Sequence, residues 1–297
     1  MLNDNKSLSK TPLYEALHSD RYARQKTICS IQEQTNRKLI VYEASLWSYA
    51  SFLSHDDVQP FGDLLDPIPQ GASVDLLIHS PGGDVEAAEK IVYMCRHRAA
   101  SLRVIIPEYA KSAATLIALA SDEIIMGIAS ELGPIDAQLP TKGPGDVYVF
   151  VSAQSFIDEF DSIKQEVTTT GSLSPAYFPL LEGVTLGFIG LCRNSMKRSE
   201  KFAEKWLAKY MLADAKDPTS LANSIAKDLC DVKKWHTHGA VIDADEAKQL
   251  GIKVQYIEPE APLWRDIWYL HCCYGVLLRQ QAISKVFESE TVSLPFK

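Results

Sequence analysis

Two segments roughly thirty residues apart each read as a strand that ends in a turn opening a helix, and together they restrict the fold most. In the first, the apolar run Val74–Ile78 (VDLLI) ends in His79-Ser80-Pro81-Gly82-Gly83. The pattern DVEAAEKIVYMCRHR follows, with Val85, Ala88, Ile91, Val92 and Cys95 on one helical face. In the second, LRVIIPEY leads through a turn into a small-residue helix, SAATLIALAS, that starts at Ser112; the strand EIIMG comes next. Short apolar runs bounded by turn residues are strands buried on both faces of a parallel sheet. Strand–helix–strand–helix–strand in tight succession requires right-handed parallel crossovers, so the fold class is α/β.

One helix plus one strand separates the two turns, which brings both to the carboxyl edge of neighbouring strands. Open α/β sheets place their ligands at that edge. Glycines there let the backbone approach a ligand closely and aim its N–H groups outward. A serine starting a helix sits in the positive field of the aligned peptide dipoles, which favours alkoxide and oxyanion character. Ser112 is therefore the candidate nucleophile, and the N–H groups of Gly82 or Gly83 and of Ala113 are the candidate oxyanion hole. Ser112 as a mere helix cap is the plain alternative; the glycine turn beside it favours the nucleophile.

Around this pair the chain divides into three parts: an N-terminal helical arm (1–37), a catalytic domain (38–257) with a helical insertion at about 174–230, and a C-terminal helix (258–297) that could serve oligomerisation. The domain opens with the strand RKLIVYEA, and Asp56-Asp57 marks a helix start before VQPFGDLL. TKGPG reads as a surface loop, Ser152 to Val167 as a helix, and VIDADEAKQLGIKVQYI as a helix opened by Asp243 and stopped by Gly251 before a strand. The final helix is read over Pro262 to Phe287, its Trp264, Trp268, Tyr269 and Tyr274 packing on the core or on a second subunit. Net charge is −8 with scattered basic residues, so no nucleic-acid partner is expected. The six cysteines form no C-x-x-C pair, which points to a reducing compartment with neither disulfides nor a zinc site. MLNDNKSLSKTPLYEAL has no apolar core of a signal peptide, and no apolar stretch reaches membrane-spanning length. A cytoplasmic protein needing no cofactor is the expectation.

HSPGGDVEAAEKI resembles the glycine turn and helix of ClpP, and YAKSAATLIALASDEIIMG resembles its nucleophile turn, helix and strand. SELGPIDAQL and HGAVIDADEAKQLGI are more specifically similar to the serine dehydrogenase proteinase family, a relative of signal peptide peptidase SppA and of the NfeD-type proteases. The resemblance implies a ClpP/crotonase-like fold of repeated ββα units with added C-terminal helices. It also implies serine peptidase chemistry and a self-compartmentalising homo-oligomer. Where ClpP carries its triad histidine, in the segment matching GPIDAQ, this chain has Asp136. SppA and NfeD relatives use a Ser-Lys dyad instead, and the matching stretch SFIDEFDSIKQEV points to Lys164 as a desolvated general base. Lys111 and the histidines of HTHGAV, His236 and His238, are the alternative bases.

The expected activity is ATP-independent cleavage of peptides or unfolded proteins through an acyl-enzyme on Ser112. Two alternatives differ in class. A crotonase-like enzyme would use the same backbone N–H pair for an acyl-CoA enolate, but neither the nucleophile turn nor any basic signature suits it. A non-catalytic assembly or recognition protein would keep the fold and lack the base. No G-x-G-x-x-G follows a strand, so a redox reaction is not expected.

Overall fold

The computed structural model describes residues 11–46, 48–142, 148–182 and 184–297; most of the TKGPG stretch, read above as a loop, lies outside them. The chain opens with α1 (Pro12–Leu17), α2 (Ser19–Thr35), β1 (Lys38–Ala44), α3 (Val58–Leu65) and β2 (Ala72–His79). Next come α4 (Val85–Arg98), β3 (Ala99–Ile106), β4 (Tyr109–Ala110), α5 (Ala113–Leu119), β5 (Glu123–Met126) and β6 (Glu131–Leu132). A hairpin of β7 (Gln138–Lys142) and β8 (Tyr148–Ser152) leads into α6 (Ala153–Thr170), α7 (Phe178–Leu181), α8 (Leu186–Lys209), α9 (Pro218–Cys230) and α10 (Val232–Trp235). The remainder is α11 (Ala244–Gln249), β9 (Val254–Tyr256), α12 (Pro262–Gln281), β10 (Lys285–Ser289) and β11 (Ser293–Phe296).

The central sheet has the order β11-β10-β1-β2-β3-β5-β9. Its five strands from β1 to β9 are parallel, as the crossover pattern requires, whereas β10 and β11 are antiparallel. Successive side chains of a strand point to opposite faces, and here each face has its own core. Ile40, Tyr42, Leu76, Ile78, Val104, Ile106 and Met126 pack under α3, α4, α5, α8 and α9. Leu39, Val41, Leu77, Ile105 and Ile125 pack on the other face beneath α2 and α12. Both faces are covered, which is why these strands read as near-continuous apolar runs rather than alternating ones.

The final helix ends earlier than its sequence pattern indicates. Ala282 takes a left-handed conformation with φ 51°, and the chain turns back so that Lys285–Ser289 pairs with β1. KVFES is a strand, not the end of a helix: Val286 and Phe287 fall into the cores on opposite faces of the sheet. Buried ion pairs fasten this edge, Arg24 to Glu288 at 2.9 Å and Lys285 to Asp57 at 2.7 Å. Among the described residues no helix is long and apolar enough to cross a membrane.

Candidate active site

Parallel register sets the last residues of β1, β2 and β3 side by side, so the turns that follow them share one edge. The two turns are stitched together directly. Ser80 N–H donates to Tyr109 O at 3.2 Å, and Lys111 N–H donates to Ser80 O at 3.0 Å. Gly82 and Gly83 have φ of 91° and 146°, values that residues with a Cβ rarely adopt. A Cβ on Gly82 would lie 2.5 Å from Lys111 O and 2.7 Å from the Ser112 Cβ, so glycine is what allows the turns to touch. Gly83 is equally enclosed by Leu53, whose N–H donates to Gly82 O and whose carbonyl accepts from Asp84 N–H. Asp84 then caps α4 by accepting from Ala87 N–H at 3.0 Å, which explains the abrupt helix start.

Ser112 is held at φ 53°, ψ −118°, a strained conformation for a non-glycine residue. Strain of this kind costs on the order of 1–3 kcal/mol and persists where the surroundings over-determine it. The Ser112 side chain makes no capping hydrogen bond to α5, so the plain reading of Ser112 as a helix cap fails. Of the backbone donors considered, Gly82 N–H is taken, donating to Ser80 Oγ at 3.2 Å. Gly83 N–H and Ala113 N–H have no acceptor among the described residues. Gly82 thus supplies room for the turn, and its N–H is already directed at Ser80 Oγ.

A cavity of about 650 Å³ opens over Ser112. Gly83, Leu116, Ile135, Asp136, Leu139 and His238 are among the residues lining it. Tyr49, Phe52 and Phe150 form one apolar wall, with ring centroids 5.6–6.3 Å apart. The His238 Nδ1 lies 2.6 Å from Asp136 Oδ1. Asp136 is 4% exposed, and its other oxygen accepts from Gln138 at 2.6 Å. A buried carboxylate on Nδ1 holds the imidazole with Nε2 free to accept a proton.

The other candidate bases are placed differently. Lys164 is exposed on α6 and does not line the cavity. The structure therefore does not bring the expected Ser112–Lys164 dyad together. Lys111 is spent on structure: its ammonium pairs with Glu131 at 2.8 Å and donates to Leu132 O and Ala240 O at 3.0 and 2.9 Å. His236 is exposed and caps α10 in a left-handed conformation. The loop bearing His238 reaches the site because Ile242 pairs with Leu132 and Lys111 grips Ala240.

On the other side of the same edge lies a group that sequence inspection did not single out. Glu43, His79 and His271 are all buried, and Glu108 reaches both imidazoles from the turn after β3. Burial works to lower the His79 pKa, but Glu43 and Glu108 outweigh it and raise it to about 9. Glu108 is held at about 2, chiefly by its pairing with His79.

With this geometry in hand, comparison with known proteins is informative. Two uncharacterised proteins of Methanocaldococcus jannaschii are similar to this chain. One is 31% identical over 209 residues, covering 70% of this chain and 63% of the relative. The other is 29% identical over 203 residues, covering 68% and 59%. The chain thus spans about three fifths of the length of the curated relatives it matches. Among solved structures, ClpP1 from Listeria monocytogenes is similar with 14% identity and a TM-score of 0.39, over 76% of this chain and 95% of that one. Residues 20–160, which carry both turns and Asp136, match the family of ClpP-like SDH-type serine proteinases.

Proposed function

We propose that the chain is a serine peptidase that uses Ser112, His238 and Asp136 on peptide or unfolded-protein substrates, without ATP. The observation that carries this reading is the Asp136–His238 pair at 2.6 Å on the wall of the cavity that also holds Ser112. In the reaction, Ser112 Oγ attacks the scissile carbonyl while His238 Nε2 takes its proton. Asp136 stabilises the imidazolium, and Gly83 N–H with Ala113 N–H receives the oxyanion. His238 then protonates the leaving amine, and water attacks the acyl-enzyme by the same route in reverse. The aromatic wall of Tyr49, Phe52 and Phe150 favours an apolar side chain next to the cleaved bond. Labelling with a fluorophosphonate, read by intact mass, is the test. We expect one adduct on the wild type, none on Ser112→Ala, a large loss on His238→Ala and no change on Lys164→Ala. Labelling that survives His238→Ala and disappears in Lys164→Ala would return the lysine dyad.

Self-association belongs to the same proposal. Ile128, Trp268 and Tyr269 are 75%, 38% and 54% exposed around one apolar groove beside α12, a face that a second copy would cover. Sedimentation velocity at micromolar concentration is expected to give an oligomer, and a strict monomer would remove this part of the reading.

A further inference from the structure

The cluster beneath the two turns is built from residues far apart in sequence that the topology brings to one point. Glu43 and His79 are register partners on β1 and β2, so their side chains leave the same face of the sheet next to each other. That face is the one covered by α12, and α12 brings His271 down onto them. His271 Nδ1 lies 2.9 Å from Glu43 Oε1, and His79 Nδ1 lies 3.2 Å from Glu43 Oε2 and 3.1 Å from Ala44 O. The opposite nitrogens of both rings face Glu108 Oε2, His79 Nε2 at 3.1 Å and His271 Nε2 at 3.2 Å. Two carboxylates and two imidazoles therefore alternate around a ring. The donor atoms of Glu43, His79 and His271 all lie within 4.8 Å of one another.

Two features make this more than a pair of ion pairs. Glu43 Oε2 and His79 Nε2 are buried, and their contacts with His79 Nδ1 and Glu108 Oε2, at 3.2 and 3.1 Å, lie outside hydrogen-bond geometry. Ion pairs that meet off the hydrogen-bond direction leave buried lone pairs available to a further partner. The donors are also of one chemical kind: two imidazoles and a carboxylate, the set that suits zinc and ferrous iron rather than magnesium or calcium. A carboxylate facing the outer nitrogens of both rings is the usual second layer of such sites, fixing the tautomer and ring orientation.

We propose that Glu43, His79 and His271 bind one divalent first-row transition ion of the zinc type, with Glu108 as the outer carboxylate that orients both imidazoles. Metal binding displaces the protons of both imidazoles, and the charge of one divalent ion then offsets the two carboxylates in their place. The site is structural. It joins β1, β2 and α12 at the point where His79 runs into the glycine turn and Glu108 runs into the nucleophile turn. An ion there braces the bases of both turns without touching the cavity above Ser112.

The test uses the untagged full-length chain, stripped of metal with a chelator, and Co²⁺ as the probe. We expect visible d–d absorption that saturates at one equivalent and is displaced by Zn²⁺. We also expect a thermal midpoint raised by about 5 °C when free Zn²⁺ is about a hundred times its Kd. His271→Asn and Glu43→Gln should abolish the absorption. Glu108→Gln, half-exposed and least able to disturb the fold, should weaken Co²⁺ binding about 10- to 100-fold. His97→Asn, on the exposed side of α4, should change nothing. Absorption absent at a hundred-fold excess of Co²⁺, as two imidazolium–carboxylate pairs alone would give, overturns the proposal. Uptake unchanged in Glu108→Gln and in whichever of the other two variants keeps its wild-type circular dichroism overturns it equally. Because the readout is metal binding, it is independent of whether Ser112 is reactive.

Discussion

His238→Ala is expected to lower kcat for peptide or ester hydrolysis by roughly a million-fold, about 8 kcal/mol of transition-state stabilisation. Without the imidazole, Ser112 has no group to take its proton, since Lys111 is committed to Glu131 and two carbonyls and Lys164 lies outside the cavity. Asp136→Asn should lower kcat by about ten-thousand-fold, because an amide on Nδ1 favours the wrong tautomer. The pair should be far from additive: His238→Ala with Asp136→Asn should be little worse than His238→Ala alone, the behaviour of residues that act as a unit. Steady-state kinetics on purified variants, with circular dichroism to establish folding, decides this. Rates within tenfold of wild type for His238→Ala would remove it as the base.

The second large effect falls on the fold itself. Gly82→Ala should destabilise the protein by at least about 3 kcal/mol, the sum of left-handed strain and a forced separation of backbone segments. The new methyl group would meet Lys111 O, Ser112 Cβ and Ala113 N at 2.5, 2.7 and 2.9 Å, none of which can yield without moving the nucleophile turn. Gly71→Ala is the matched control. Gly71 also has positive φ, 78°, but nothing lies within 4 Å of its would-be Cβ, so only the strain remains, about 1 kcal/mol. Urea unfolding of both variants separates the two contributions. Equal losses would mean that the contact between the two turns is not tight.

The two turns could be read from sequence because their signal is local: apolar run, glycine or serine, helix. The parallel strands and their crossovers follow from the same periodicities. The proposed base, His238, could not be read in this way. Asp136 and His238 are 102 residues apart, and His238 arrives on an irregular loop. Its position depends on the Leu132–Ile242 pairing and on Lys111, neither of which has a sequence period. Asp136 stands where ClpP has a histidine, and His238, from the far end of the domain, lies 2.6 Å from it. The resemblance to SppA and NfeD relatives points to Lys164, yet its helix carries Asp158, Glu159 and Asp161 and turns Lys164 to solvent. The proposed metal ligands escaped for the same reason as the base. Motif spacing finds ligands a few residues apart, whereas Glu43 and His271 are separated by 228. At the C-terminal edge, a short apolar run fits helix and strand alike, and only pairing with β1 decides that Lys285–Ser289 is a strand.

That edge also governs how the molecule comes together. Arg24 meets its partner Glu288 across 264 residues, and Asp57 meets Lys285 across 228. Contacts of such range form late, because the chain entropy of closing the loop is lost before any pairing compensates it. Until β10 docks, β1 presents an open row of N–H and C=O groups along a strand whose side chains are mostly apolar. The slowest-forming part of this protein is thus the one that guards it against pairing with other chains.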